Sequence, residues 1–109
     1  MTKKSEINEK YIYQLVSYNI KRLRDMQNIS QLNLALKSGL TQNFINDIEN
    51  CKKGISVRSL AKLSIALDAE PHQFYLSEKM LANEASIYLM DFSNLMHNAV
   101  NDIVKKYIK

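Results

Sequence analysis

The sequence contains 109 residues, of which 46% are hydrophobic and 24% charged, and this length fits one domain with a modest core and an appended segment. It shows neither a cationic start before an apolar segment nor a long apolar run, so we expect a cytoplasmic protein without a secretory signal or membrane span. Cys51 is the only cysteine, which excludes an internal disulfide and offers no metal-ligand spacing.

The net charge of +4 is unevenly distributed along the chain. Residues 1–75 contain 11 Lys and Arg against 7 Asp and Glu, whereas residues 76–109 contain 4 of each kind. This excess favours a polyanionic partner for the first part, although ordinary solvated surface charge would give the same numbers.

Glycine and proline are scarce, and apolar residues recur at intervals of three and four, so the sequence predicts an all-α protein. Residues 1–10 lack this periodicity, and we predict a flexible N-terminal arm there. A first helix is predicted from Tyr11 to about Met26, ended by Asn28. Its apolar residues are Ile12, Leu15, Val16, Ile20, Leu23 and Met26.

Two short helices follow. Ser30 has the chemistry of an N-cap, and Gly39 can take the left-handed conformation that ends a helix. Thr41 is the next N-cap, for a third helix that runs to about Asn50. The apolar residues of the second helix are Leu32, Leu34, Ala35 and Leu36, and those of the third are Phe44, Ile45 and Ile48.

The remaining pattern predicts three more helical segments. Ser56 is the expected N-cap of a fourth helix, and Pro71 suits the first turn of a short fifth helix that contains Phe74. From Glu78 to Tyr107 a single amphipathic pattern continues. The predicted apolar face of the fourth helix comprises Val57, Leu60, Leu63, Ile65, Ala66 and Leu67.

The third helix has an apolar side and an amide side when the chain is turned by about 100° per residue. The amide side consists of Gln42, Asn43, Asn46 and Asn50. Asn is a poor helix former, and an amide matches the N6 and N7 edge of adenine in the major groove. Alternatively, an AT-rich genome has placed Asn wherever it was tolerated.

Two short helices joined by a turn with glycine are typical of the helix-turn-helix plan. The supporting residues are Ile29-Ser30-Gln31, Leu34-Ala35, Ser38-Gly39-Leu40-Thr41-Gln42, Phe44-Ile45, Ile48-Glu49-Asn50, Ser59-Leu60, Leu63 and Ala66-Leu67. This combination resembles the XRE, or Cro and phage-repressor, family. The resemblance implies a five-helix, lambda-repressor-like DNA-binding domain over residues 11–75.

The resemblance also implies contacts with double-stranded DNA. It places Gln42, Asn43 and Asn46 at base edges. Asp47, at the edge of the amide side, is a further candidate for a base contact, because its carboxylate could accept a hydrogen bond from cytosine N4. Alternatively, it is an ordinary surface residue. The resemblance also places five residues at backbone phosphates: Gln31, Thr41, Asn50, Lys52 and Lys53.

One structural pair and two departures from the family pattern stand out. Arg24 and Glu49 match positions that form a partly buried ion pair between the first and third helices. Cys51 and Asp68 stand where the family usually has glycine. We expect Asn50 to take the left-handed turn in place of Cys51, because Asn tolerates that conformation best.

The family resemblance does not extend to residues 76–109, which we predict to form a long amphipathic helix or helix pair that joins two copies of the chain. The alternative is a helix that folds back on its own domain, with or without a break near residues 91–94. The predicted dimerisation residues, spaced alternately by four and three, are Leu81, Ala85, Tyr88, Phe92, Leu95 and Ala99.

These features predict a transcriptional regulator, most simply a repressor that binds a palindromic, AT-rich operator as a homodimer. An antitoxin whose C-terminal helix neutralises a toxin is the alternative. No enzymatic activity, cofactor, metal or membrane association is expected, because the sequence contains no nucleophile–base or metal-ligand constellation and the polar face of the tail is short of Lys and Arg.

Overall fold

The computed structural model describes residues 4–107, except the side chains of Ser5 and of residues 84–90. The described residues form helices and no strand, which confirms the predicted all-α class. The α-helices are α1 (Glu9–Met26), α2 (Gln31–Ser38), α3 (Gln42–Glu49), α4 (Val57–Leu67) and α5 (Glu78–Tyr107), and two 3-10 helices span Lys4–Glu6 and Pro71–Tyr75.

The chain divides between Leu76 and Ser77 into two compact units. In the first, α1 packs against α3 and the 3-10 helix Pro71–Tyr75, and α2 packs against α3 and α4. The second unit contains α5. The buried apolar core of the first unit comprises Val16, Ile20, Leu23, Ile29, Leu34, Ala35, Ile45, Ile48, Leu63, Leu67 and Phe74.

The helices begin where local side-chain chemistry predicts. Ser30, Thr41 and Ser56 each accept a hydrogen bond from the backbone N–H three residues ahead, at 3.0, 3.0 and 3.1 Å. Each bond satisfies one of the donors that a helix start leaves without a partner. Asn8 caps α1 in the same way, so this helix begins at Glu9, two residues before the predicted start.

Three helices end on a non-glycine residue in the left-handed region: Asn28 (φ 55°), Cys51 (φ 62°) and Asp68 (φ 49°). After α3 the N–H of Cys51 donates to the Ile48 carbonyl at 3.1 Å, and that of Lys52 donates to the Asp47 carbonyl at 2.8 Å. These two bonds define a Schellman motif, in which the first residue beyond the C-cap is left-handed.

The expected left-handed turn at Asn50 is therefore wrong. Asn50 is the C-cap of α3 with φ −96°, and Cys51 takes the strained conformation instead. The hydrogen-bonding pattern of the motif sets the position of the turn, and it outweighs the residue preference. Gly39 ends α2 as predicted, with φ 72° and its N–H bonded to the Ala35 carbonyl at 3.0 Å.

Several residues of the predicted apolar helix faces are exposed. In α4, Leu63 and Leu67 are buried, whereas Ile65 is 82% exposed and Val57 is exposed as well. Ile65 follows Leu63 by two residues, about 200° around the helix, so the two residues point to opposite sides. The other predicted face residues that are exposed are Ile12, Met26, Leu32 and Leu36.

The described backbone of α5 is helical without interruption from Glu78 to Tyr107, so it has no break at residues 91–94. Phe92 and Leu95 are 62% and 67% exposed. Among the predicted dimerisation residues, Leu81 is half-buried and Ala99 exposed, while Ala85 and Tyr88 lie outside the described side chains. Within the described part of the chain, no helix is both long and apolar enough to cross a membrane.

Candidate nucleic-acid interface

Helix α3 is anchored on one side and open on the other. Ile45 and Ile48 are 0% and 1% exposed in the core. Gln42 and Asn43, at the start of the helix, are exposed, and Asn46 one turn later is half-exposed. The amides predicted to contact bases therefore lie on the outer surface of the first unit.

The turn between α2 and α3 depends on Gly39. A residue with a Cβ is strained at its φ of 72°, although no other atom occupies the space that a Cβ would take. The Ser38 hydroxyl then accepts from the Leu40 N–H at 3.3 Å, and Thr41 caps α3. This turn joins the two helices in the order and spacing of a helix-turn-helix unit.

A bidentate ion pair connects α1 to the end of α3. Arg24 Nε lies 2.7 Å from Glu49 Oε2, and Arg24 Nη2 lies 2.8 Å from Glu49 Oε1. Both side chains are largely buried, at 14% and 3% exposed. The hydrogen bond with Glu49 raises the pKa of Arg24 above its ordinary value, so the guanidinium stays charged. Its third donor, Nη1, bonds to the Ile29 carbonyl at 2.7 Å.

Two further groups converge on Glu49. The Gln31 amide donates to Glu49 Oε1 at 3.2 Å, and the buried Ser17 hydroxyl donates to the Glu49 backbone carbonyl. Gln31, predicted to contact a phosphate, is thus oriented by the ion pair at the N-terminus of α2. An amide nitrogen carries two hydrogens, so one remains for an anion at that helix end.

The loop after α3 rests on α1. A Cβ on Gly54 would lie 2.7 Å from Tyr13 Cε1, so only glycine fits against this ring without displacing it. The Cys51 thiol lies 3.9 Å from the Tyr13 carbonyl. Lys52 and Lys53 are exposed on this supported loop, beside the end of α3.

Lys53 also contacts α3 itself. Its Nζ lies 3.3 Å from Asp47 Oδ2 and 5.9 Å from the centre of the Phe44 ring. Lys53 is about half-exposed, so an ion pair of this kind contributes little to stability. Asp47, a candidate base contact, is therefore partly neutralised by a lysine that was itself predicted to contact a phosphate.

The last predicted contact residue, Asn50, interacts with the amide side of α3. Its Nδ2 donates to Asn46 Oδ1 at 3.1 Å, one helical turn away. The residues missed from the sequence are two supports behind the surface, Ser17 and Gly54. The described residues contain no group of His, Cys, Asp and Glu that could hold a metal ion.

An anchored helix with an outward amide side, a preceding helix across a glycine turn, and lysines at its far end define a helix-turn-helix DNA-binding unit. A family model described as helix-turn-helix, HTH_3, matches residues 20–74, just over half of the chain. The chain belongs to this XRE-type family of DNA-binding transcription regulators, as the residue pattern predicted.

Solved structures agree with this assignment. The restriction-modification controller protein C.AhdI from Aeromonas hydrophila is 28% identical, with a TM-score of 0.56 over 58% of this chain and 96% of that chain. The wild-type restriction-modification controller protein C.Esp1396I is 28% identical, with a TM-score of 0.55 over 68% and 92%. The hypothetical transcription factor NHTF from Neisseria, 22% identical with a TM-score of 0.64 over 71% and 88%, shows the same fold.

A comparison with curated protein sequences gave no match. Helix α5 lies beyond the residues that the family model matches. The C.AhdI alignment covers nearly all of that protein but little more than half of this chain. This chain therefore contains a substantial part without a counterpart in that controller.

Proposed function

We propose that this regulator binds DNA sequence-specifically by inserting α3 into the major groove, with Gln42, Asn43 and Asn46 against base edges. One observation carries the proposal: these amides face outward while Ile45 and Ile48 fix the helix from behind. A helix fits the major groove, and amides can pair with the donor and acceptor edge of adenine there.

Phosphate contacts on both sides of α3 would fix its register. Thr41 and Gln31 stand at the starts of α3 and α2, where backbone N–H groups favour an anion. Lys52 and Lys53 follow the end of α3 as exposed cations. Such contacts supply affinity that falls with rising salt concentration, and they do not read sequence.

The expected operator is rich in A·T pairs at the contacted positions. Between Gln42 and Asn50 the sequence has neither Arg nor Lys, the residues that most often contact guanine. Amides fill the outward positions instead. The preference of the protein for A·T pairs would follow from these amides.

We further propose that two copies join through α5. Its described apolar side chains include exposed Phe92, Leu95, Ile103 and Tyr107, and a helix with so much exposed apolar surface requires a covering partner. A second copy is the partner that suits the DNA-binding unit, because two α3 helices would then reach two half-sites about 34 Å apart. Bound to such a palindrome in the cytoplasm, the dimer would act most simply as a repressor that occludes a promoter.

Selection from a random duplex pool with the full chain tests the proposal. We expect enrichment of an AT-rich palindrome whose half-sites are separated by about one helical turn. Enrichment of a single, non-repeated half-site would contradict the dimeric mode of binding. Failure to enrich any duplex at low salt would contradict sequence-specific binding itself.

A further inference from the structure

Asn46 and Asn50 lie on the same side of α3, one turn apart, and are joined by a directed hydrogen bond. Asn50 Nδ2 donates to Asn46 Oδ1 at 3.1 Å. This bond turns the oxygen of the Asn46 amide toward the C-terminal end of α3 and its NH2 group away from that end. The order of acceptor and donor along the exposed edge of Asn46 is therefore fixed by Asn50.

The local electrostatics favour this direction of the bond. The peptide dipoles of a helix add along its axis and make its C-terminal end electronegative. Asn50 is the C-cap of α3, so its NH2 group suits this end better than its oxygen does. A phosphate at the same end would also require a donor from Asn50, and an amide nitrogen has a hydrogen for each partner.

The direction of an amide matters for reading DNA. Across the major groove an A·T pair presents adenine N7 as acceptor, N6 as donor and thymine O4 as acceptor, followed by the thymine methyl group. A T·A pair presents the same groups in reverse order. An amide that can rotate freely matches adenine on either strand, whereas an amide held in one direction matches adenine on one strand only.

We propose that Asn50 is a positioning residue that sets which strand carries the adenine read by Asn46. The inference rests on the proposed function, because it requires α3 to lie in the major groove. Between two amides in water the bond is weak, but it strengthens where DNA excludes water from the interface. Asn50 then determines specificity at a base pair that it need not touch.

The test uses the full chain and duplexes from the random-pool selection. The base pair that loses its preference in the Asn46→Ala protein identifies the position read by Asn46. Two duplexes of the selected sequence, differing only by A·T against T·A at that position in each half-site, are then titrated. For the wild type we expect on the order of hundredfold discrimination between them, because each half-site contributes one bidentate amide–adenine contact worth about tenfold.

The Asn50 variants carry the decisive prediction. Asn50→Ala removes the donor and should bring the two affinities close together. Asn50→Asp offers only an acceptor, so the Asn46 amide turns over and the preferred orientation of the base pair reverses. Lys52→Ala is the matched control, since losing a phosphate contact next to Asn50 weakens binding to both duplexes equally. Circular dichroism checks that each variant keeps the helical content of the wild type.

Each result bears on a different claim. Full discrimination retained in Asn50→Ala would overturn the positioning role and leave the proposed function intact. An Asn46→Ala protein with an unchanged preference at every position would overturn it as well, because Asn46 would then read no base. A wild-type protein that enriches no duplex would instead refute the proposed function itself, together with this inference.

Discussion

Glu49 is the residue through which α1, α2 and α3 are held in one arrangement. Its carboxylate accepts from Arg24 twice and from Gln31 once, and its backbone carbonyl accepts from Ser17. The pairing with Arg24 is predicted by the family resemblance. The other two partners, Gln31 and Ser17, are separated from Glu49 by 18 and 32 residues. Helical periodicity carries no information about such distant partners, so the sequence could not reveal them.

Replacing Arg24 by Met should strongly destabilise the protein. The substitution leaves the Glu49 carboxylate buried without its guanidinium, at a cost of about 3–5 kcal/mol in the free energy of unfolding. Urea denaturation followed by circular dichroism measures the change. Arg58→Met, at an exposed arginine of α4, is the control, for which we expect a change within about 0.5 kcal/mol.

The double variant Arg24→Met, Glu49→Leu separates a charge effect from a packing effect. It removes both charges, so we expect it to recover part of the stability lost in Arg24→Met. If Arg24→Met were as stable as the wild type, the ion pair would not be what holds α3 against α1.

Cys51 gives a second test at the scale of single residues. Because its φ of 62° is unfavourable for a side chain with a Cβ, Cys51→Gly should raise the free energy of unfolding by about 1 kcal/mol. Asn50→Gly should lower it, because Asn50 has φ −96° and gains nothing from glycine. Thermal unfolding of both variants measures the difference, and the opposite ranking would place the left-handed turn at Asn50.

At the scale of elements, the helix ends follow from local chemistry. Ser30, Thr41 and Ser56 could be identified as N-caps from the sequence because a cap bonds to a backbone group only three residues away. The buried faces were harder to assign. Ile65 belongs to an apolar run, but only the packing of α4 on α2 decides which side of that run is covered.

Helix α3 and the loop after it act as one element, since Asp47 and Lys53 are paired across their junction. Asp47→Asn removes a negative charge near the DNA and releases Lys53 for a phosphate. Because Asp47 competes with phosphate for Lys53 in the wild type, we expect tighter binding to the selected duplex. The slope of log affinity against log salt concentration should steepen by up to about 1.8, which is about 0.9 for the Lys53 contact of each subunit in the dimer. Titrations at several potassium chloride concentrations measure both quantities.

Asp91→Asn is the control for this prediction, because it changes the net charge equally at an exposed position of α5. It should leave the slope unchanged. If Asp47→Asn instead weakened binding and altered the preference at one base pair, Asp47 would be a base contact, the other role that its position on α3 suggested.

For the whole molecule, the proposed dimer depends on the apolar side of α5. Phe92→Glu places a charge at the centre of this side and should convert the dimer to a monomer at micromolar concentration, as measured by sedimentation equilibrium. Asn94→Glu introduces the same residue two positions away, about 200° around the helix, and should leave the dimer intact. A Phe92→Glu protein that remains dimeric would contradict an interface through α5.

The sequence defined this apolar side but not what covers it. Spacing of four and three residues is common to helices that pair with a second copy and helices that pack on their own domain. The composition of α3 was equally ambiguous, because its abundant Asn is explained either by an AT-rich genome or by contacts with DNA bases. The structure adds that the amides of Gln42 and Asn43 are exposed, which their spacing alone could only suggest.

The most direct test of base reading by α3 compares the duplexes selected by the wild-type protein and by Asn43→Ala. Asn43 is exposed at the start of α3, so its substitution should leave folding unchanged. We predict that Asn43→Ala still enriches the palindrome but loses its preference at one base pair in each half-site. Identical preferences at every position for the two proteins would contradict base reading by the exposed amides of α3.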